Sequence, residues 1–300
     1  MRFIKETDVD FLAMRRYGFV ISGALILAGL ISLLLQGGPK LSIDFEGGTL
    51  VQIRFLEEAD IGKIRSALES LNLGKSDIQT FGTPNEILIR LQKGQETEAL
   101  TNDLRQALIT VMPGETPDFR RMETVGPKIG AELSGKAFLA IVSAIIGILI
   151  YISIRFEFKF AIGAIAALVH DVVITLGIFS IMDYEISLAI IAAFLTIVGY
   201  SLNDTIVVFD RVRENLKRLK NEAQTTIFNR SINESLSRTV ITSLTTFVVV
   251  FTLWLAGGEV IRYFAFAMMV GVIVGTYSSV FVASPVVVLW SSRFSASKPK

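Results

Sequence analysis

The chain has 300 residues, 51% of them hydrophobic, with mean hydropathy +0.56 and net charge +1. So balanced a charge gives no electrostatic basis for binding nucleic acid. With no cysteine and one histidine, His170, the chain can form no disulfide, thiolate metal site or multi-histidine centre.

The apolar residues gather into six runs, each long enough to cross a bilayer, which takes about 20 apolar residues. They are placed at 17–36, 137–154, 161–181, 186–209, 239–256 and 263–290, the last long enough to include an interfacial turn. Residues 1–16 form a basic N-terminal segment. Basic residues before an apolar run imitate a secretory signal, but Tyr17 to Leu35 is long for one. No small-x-small cleavage site follows it, so an uncleaved anchor is expected.

Residues 37–136 are the only sizeable polar part. Thr49–Phe55 alternates as a strand does, and Ala59–Leu71 has helical spacing through Ile61, Ile64, Leu68 and Leu71. Ile78–Phe81 and Glu86–Leu91 flank Gly82-Thr-Pro-Asn85 and predict a hairpin. A second amphipathic helix spans Thr97–Val111, and Arg120–Val125 predicts a closing strand. The order β-α-β-β-α-β predicts a small ferredoxin-like α+β domain. Asp44-Phe-Glu-Gly-Gly-Thr49 reads as a tight turn or bulge. Val125-Gly-Pro-Lys-Ile-Gly-Ala-Glu-Leu133 reads as a structural joint into the second span.

Residues 137–290 carry spans two to six, with a basic loop at about 210–238, and 291–300 form a tail. The positive-inside bias sets the orientation. Arg2, Lys5, Arg15 and Arg16 precede span one, and Arg155 and Lys159 link spans two and three. Arg211, Arg213, Lys217, Arg218, Lys220 and Arg230 link four and five, and Arg293, Lys298 and Lys300 end the chain. Of the alternate links, that around Asp183 and Glu185 has no basic residue, and the Gly257–Arg262 turn has Arg262 as its one basic residue. Both termini are therefore expected in the cytoplasm and the 37–136 domain outside. Glu214–Ser237 is expected as one or two amphipathic helices on the membrane surface, with Asp210 and Glu214 as a solvated face at the end of helix four.

Within span four an acid, Asp204, is flanked by Ser201, Asn203 and Thr205. An ionised carboxylate is costly in hydrocarbon, so it marks a proton or ion site unless a neighbouring helix merely satisfies it. Asp204 lies about five residues, or roughly 8 Å, before the basic end of its helix. Arg238 begins span five in the same layer, so the two can pair; the alternative is that Arg238 snorkels to headgroups. Arg238, Thr242 and Thr245 share one helix face, with Thr246 beside them and Thr239 and Ser243 as a second polar row. That face lines a neighbour or a hydrated path, unless its hydroxyls bond their own helix carbonyls. His170 and Asp171 lie near the middle of span three, as a proton relay or as a packing histidine beside an acid bonded to Thr175. Neighbouring residues point about 100° apart, so they cannot both face one helix squarely. No nucleophile–base pair is apparent, and no enzyme activity is expected.

Gly199-Tyr-Ser-Leu-Asn-Asp-Thr-Ile-Val-Val-Phe-Asp-Arg-Val-Arg-Glu-Asn215 closely resembles the fourth-span motif of the SecF family of bacterial protein-export membrane subunits. Asp44–Thr49, Val125-Gly-Pro127, His170-Asp-Val172 and Ser237-Arg-Thr239 match that family in the same order. The resemblance implies six spans as half of an RND-superfamily bundle in the bacterial inner membrane. It implies SecD as heterodimer partner, the SecYEG translocon and YajC as associates, and unfolded preprotein as substrate. Proton-motive force would drive late preprotein translocation, with protons as the coupling ion and no cofactor. Asp204 would be the proton-linked acid and Arg238 its partner, and His170 and Asp171 match the family pattern. Read from the residues themselves, His170, Asp171, Ser201, Asn203, Thr205, Thr242 and Thr245 are the candidates for relay or support. The rival functions are one half of an RND-type small-molecule efflux transporter, or a passive scaffold of the translocon.

Overall fold

The computed structural model describes residues 7–91 and 97–295; Arg2, Lys5, Lys298 and Lys300 of the charge argument lie outside the described residues. The chain divides into two compact units, Leu41–Leu139 and the remainder. Helix α1 (Arg15–Leu35) belongs to the larger unit and is apolar on nearly every face, burying only Gly18, Ser22 and Gly29.

The smaller unit opens with a short helix, α2 (Ile43–Glu46), and strand β1 (Gly48–Arg54). Then come α3 (Ile61–Ser70), β2 (Asp77–Phe81), β3 (Thr83–Leu91), α4 (Thr97–Val111) and β4 (Asp118–Val125). The four strands form one antiparallel sheet in the order β2-β3-β1-β4, the ferredoxin-like arrangement that the element order predicts. Period-two alternation in β1 buries Val51 and Ile53 on one face. Ile64 and Leu68 of α3 and Leu104 and Leu108 of α4, each pair four residues apart, cover that face. Each such side chain contributes about 1.5–3 kcal/mol on burial. Asp60 caps α3 by accepting from the backbone N–H groups of Gly62 and Lys63. The hairpin is tighter than expected. Gly82, at φ +73°, makes the turn alone because it enters the left-handed region freely, and β3 begins at Thr83.

The two glycine-bearing segments meet. A Cβ on Gly47 (φ +76°) would lie 3.0 Å from Pro127 Cα, and one on Gly130 would lie 2.7 Å from the Phe45 carbonyl oxygen. Backbone therefore packs on backbone where the sheet ends and the next helix starts.

That helix, α5 (Pro127–Arg155), leads into the larger unit, followed by α6 (Phe158–Ile181), α7 (Leu188–Arg218) and α8 (Gln224–Ala256). The chain then runs through α9 (Gly258–Ser278), one π-helical turn (Ser279–Ala283) and α10 (Ser284–Ser295). With α9, the π turn and α10 counted as one span, six helices among the described residues are long and apolar enough to cross a membrane. The π turn interrupts the last span in its interior, a break the sequence pattern does not predict. Pro285 has no N–H for the carbonyl four residues back, and the register changes just before it.

The expected loop at 210–238 with its surface-lying helices is also corrected. Helix α7 continues to Arg218 and α8 starts at Gln224, so only 219–223 are outside helix. Val212, Phe228 and Ile232 turn into the bundle core rather than toward lipid. Glu234 ties the two helices together, accepting from Arg211 Nε at 2.6 Å and Asn215 Nδ2 at 2.7 Å, with Arg218 and Arg230 at 3.3 and 3.2 Å. Asp210 lies within ion-pair reach of Arg155 and Arg213, and Glu214 pairs with Arg211.

Small residues decide the helix crossings, since they let backbones approach where lipid supplies no hydrophobic drive. A Cβ on Gly29 of α1 would lie 2.6 Å from Gly177 Cα of α6, and one on Gly275 of α9 would lie 2.9 Å from Ser201 Cβ of α7. Near the Arg155 end, Phe156, Phe160, Phe209 and Phe228 form a ring cluster, with Phe160 and Phe209 centroids 5.0 Å apart.

Candidate functional site

Helix α7 has one turn of buried polar residues in its apolar run, because Ser201, Asp204 and Thr205 fall on the face that α6, α8 and α9 cover. Asp204 is 1% exposed. Ser243 Oγ of α8 donates to its Oδ2 at 3.1 Å, and Thr276 Oγ1 of α9 lies 3.4 Å from the same oxygen. Thr276 has one proton, and Ser243 Oγ at 2.7 Å and the Val272 carbonyl at 2.8 Å compete for it. Oδ2 therefore has one firm donor, and Oδ1 has none among the described residues. The hydroxyls of Thr205, Thr239 and Tyr200 are buried without a partner, which is uncommon for buried polar atoms.

Arg238 does not pair with Asp204. It is exposed, and no hydrogen bond or ion pair joins the two. Thr242 and Thr245 share its face and donate to the carbonyls of Arg238 and Ile241 in their own helix. Thr239 and Ser243, the second polar row, are the ones turned inward. Helix α8 is thus rotated so that the expected hydroxyl stripe faces outward and its neighbour lines the acid. Asn203 also faces outward, on a strip of α7 that includes the exposed Thr196 and Gly199.

A second carboxylate lies on α6. Asp171, 1% exposed, accepts from Ser201 Oγ of α7 at 2.5 Å and Ser278 Oγ of α9 at 2.8 Å, both at Oδ2. Its Oδ1 lies 2.8 Å from Nδ1 of the buried His170, whose Nε2 lies 2.8 Å from Ser22 Oγ of α1. The two neighbours do diverge, His170 toward α1 and Asp171 toward α7 and α9. Thr175 donates to the backbone carbonyl of Asp171, not to its carboxylate. Ser201 thus serves Asp171 while Asp204, three residues on, turns to α8.

Sequence reasoning missed Ser22, Thr276, Tyr277 and Ser278. The signal available was Gly275-Thr-Tyr-Ser-Ser279, four hydroxyl-bearing residues inside an apolar run.

The family model described as "Protein export membrane protein SecD/SecF, C-terminal" matches residues 106–293, and the "SecD/SecF GG Motif" matches 32–55. The chain belongs to the SecD/SecF family. Asp171 and Asp204 lie inside the first SecD/SecF match, and the second contains Gly47 and Gly48. Among curated relatives, "Protein translocase subunit SecF" of Calditerrivibrio nitroreducens is 49% identical over 96% of this chain and 95% of that protein. The subunit of the same name from Magnetococcus marinus is 48% identical, over 96% and 93%. A solved structure of SecDF, described as a translocon-associated membrane protein from Thermus thermophilus, superposes with TM-score 0.88 at 38% identity. The match covers 96% of this chain and 39% of that one, so this chain spans well under half of the SecDF polypeptide.

Proposed function

We propose that this chain is the SecF-type half of a protein-export machine in the bacterial inner membrane, with both termini in the cytoplasm. A SecD-type protein supplies the other half, and the pair works beside the SecYEG translocon, with YajC as a further associate. Proton entry drives the late stage of preprotein translocation, and the small α+β unit, on the outer side, handles the emerging chain. Asp204 carries the proton, and the chain itself needs no cofactor.

The observation that carries this reading is the provision around Asp204. A bare carboxylate in an apolar bundle costs several kcal/mol, and here it has one firm hydroxyl donor and no bonded cation among the described residues. Protonation removes that cost, so occupancy by a proton and local packing are linked. Thr205 and Thr239 leave buried hydroxyls free between Asp204 and the basic helix ends, on the side of proton release. In the deprotonated state Arg238 turns in to meet the carboxylate, and in the protonated state it stays out. The outward strip of Asn203, Thr196, Arg238, Thr242 and Thr245 is too polar to face lipid alone, which favours a second half seated there. The 39% coverage of SecDF is consistent with such a division.

The test is proton-dependent preprotein export in inverted vesicles holding this chain and its SecD-type partner. Asp204→Asn is expected to bring the proton-dependent component to background. Retention of wild-type coupling refutes the assignment. Substrate accumulation in a deletion strain separates export from small-molecule efflux. Activity of a charge-swapped pair, Asp204→Arg with Arg238→Asp, would instead make the two residues a scaffold element.

A further inference from the structure

A chain of hydrogen bonds crosses three helices beside Asp171, and its direction is fixed at one end. Tyr277 OH of α9 donates to the Gly18 carbonyl of α1 at 2.6 Å, and a carbonyl can only accept. The phenol has one proton, so its 3.1 Å contact with Ser22 Oγ, read as a hydrogen bond, has Ser22 as the donor. Ser22 has then used its own proton, so its 2.8 Å contact with His170 Nε2 requires an N–H on Nε2. That leaves His170 Nδ1 facing Asp171 Oδ1 at 2.8 Å. If His170 is neutral with Nε2–H, and Asp171 is ionised, two lone pairs meet there. The contact is attractive only with one further proton, borne either by Nδ1 as imidazolium or by Oδ1 as carboxylic acid.

We propose that His170 and Asp171 form a buried proton-binding site separate from Asp204, holding one proton between Nδ1 and Oδ1. The site has a built-in linkage to helix packing. When the proton leaves, the remaining N–H must move to Nδ1 to meet the carboxylate, which makes Nε2 an acceptor. Ser22 then turns its proton to Nε2, so the single phenol proton of Tyr277 has two acceptors, Ser22 Oγ and the Gly18 carbonyl, and one of these two contacts is lost. Proton loss therefore breaks one of the bonds that ties α9 to α1.

The groups around the pair are few. Helix α1 presents Ser22 and the Gly18 carbonyl, its charges Arg15 and Arg16 lying at its start. Helix α7 presents Ser201, with Asp204 one turn further on; α9 presents Tyr277, stacked on the imidazole at 6.0 Å, and Ser278. The π turn has no titratable residue, and Arg293 of α10 lies near that helix's end. Among the described residues no cation other than His170 itself bonds to Asp171. The inference does not depend on the role given to Asp204.

His170 is the only histidine, so ¹⁵N-histidine labelling of the full chain in lipid nanodiscs reports this ring alone. The spectra are expected to show Nε2 protonated. Either Nδ1 is protonated too, or Asp171 gives an infrared carboxylic-acid band that Asp171→Asn removes. Tyr277→Phe frees Ser22 from its fixed direction and is expected to let a neutral ring with bare Nε2 appear as pH rises; Ser22→Ala does the same if that variant fails to fold. A wild-type ring with bare Nε2, or with Nε2–H alone and no Asp171 acid band, overturns the site. An unchanged ring in both variants overturns the linkage. Neither readout involves transport, so failure here leaves the Asp204 proposal standing, and the reverse also holds.

Discussion

Asp171 and Asp204 lie in the same helix bundle, both 1% exposed and both in contact with α9, yet the chain provides for them differently. Asp171 has two hydroxyls on one oxygen and an imidazole on the other. Asp204 has one firm hydroxyl donor and a contested second, both on the same oxygen, with its second oxygen bare of donors among the described residues. A buried charge is stable when each lone pair meets a donor, and unstable by several kcal/mol when it does not. The difference teaches what kind of element each acid is. Asp171 is a hub that joins four helices around one proton. Asp204 is a group whose surroundings, with one firm donor, suit it best in the neutral form.

Removing each acid is the most direct way to break that comparison. Asp204→Asn keeps an oxygen for Ser243 to donate to, so its cost in stability is expected to be about 1 kcal/mol or less. Its effect on export is expected to be the largest of any single change, because an amide cannot carry the proton. Asp171→Ala inverts the pattern. It leaves Ser201, Ser278 and His170 without their buried partner, at an expected cost of about 3–5 kcal/mol. Thermal unfolding in detergent, measured beside vesicle export, reads both. Equal destabilisation by the two variants would abolish the distinction. Gly29→Ala is a smaller probe of the Asp171 side alone. The new methyl would meet Gly177 Cα at 2.6 Å and push α1 off α6, which carries His170 toward Ser22. Overpacking of this kind costs about 1–3 kcal/mol. The His170 ring signals should shift, while the export defect stays far milder than that of Asp204→Asn.

How much of this could be read beforehand differs between the two acids. The sheet unit was legible, because the alternation in β1 and the i, i+4 apolar pairs of α3 and α4 each admit one facing. Asp204 was legible from the cost of charge in an apolar run. The partners of Asp204 were not, for a geometric reason. Helix α8 has polar residues on two adjacent rows, Arg238–Thr242–Thr245 and Thr239–Ser243, and the sequence does not say which row turns inward. The facing is set by the other helices, here by the approach of α9 through Gly271 and Gly275 to α7, which brings Thr276 up beside Ser243. The extent of the hairpin between α7 and α8 was hidden for a related reason. A basic amphipathic stretch reads the same on a membrane surface and in a helix pair, and only Glu234, shared among three arginines and Asn215, decides it. The Asp171 hub was half visible. The His-Asp pair stood out, but Ser22 is one hydroxyl in a long apolar helix, and Tyr277 and Ser278 lie far from it in sequence.

The two rows of α8 give the finest test of the comparison. Ser243 is the one firm donor to Asp204, so Ser243→Ala removes it at the centre of the site. The expected cost is about 1 kcal/mol in stability, because a neutral Asp204 loses only an ordinary hydrogen bond. Export should fall more than that number suggests, since the ionised form loses its sole dependable donor. Thr242 and Thr245 point outward and bond carbonyls of their own helix, so Thr242→Ala and Thr245→Ala should change the stability of the chain alone by under about 0.5 kcal/mol. Any effect they have should appear only when the SecD-type partner is present, as weaker co-purification or slower export. Thermal unfolding of the chain with and without that partner separates the rows. If Thr242→Ala destabilised the isolated chain as much as Ser243→Ala, the rotation of α8 that turns Ser243 toward Asp204 would be wrong, and with it the account of how Asp204 is held.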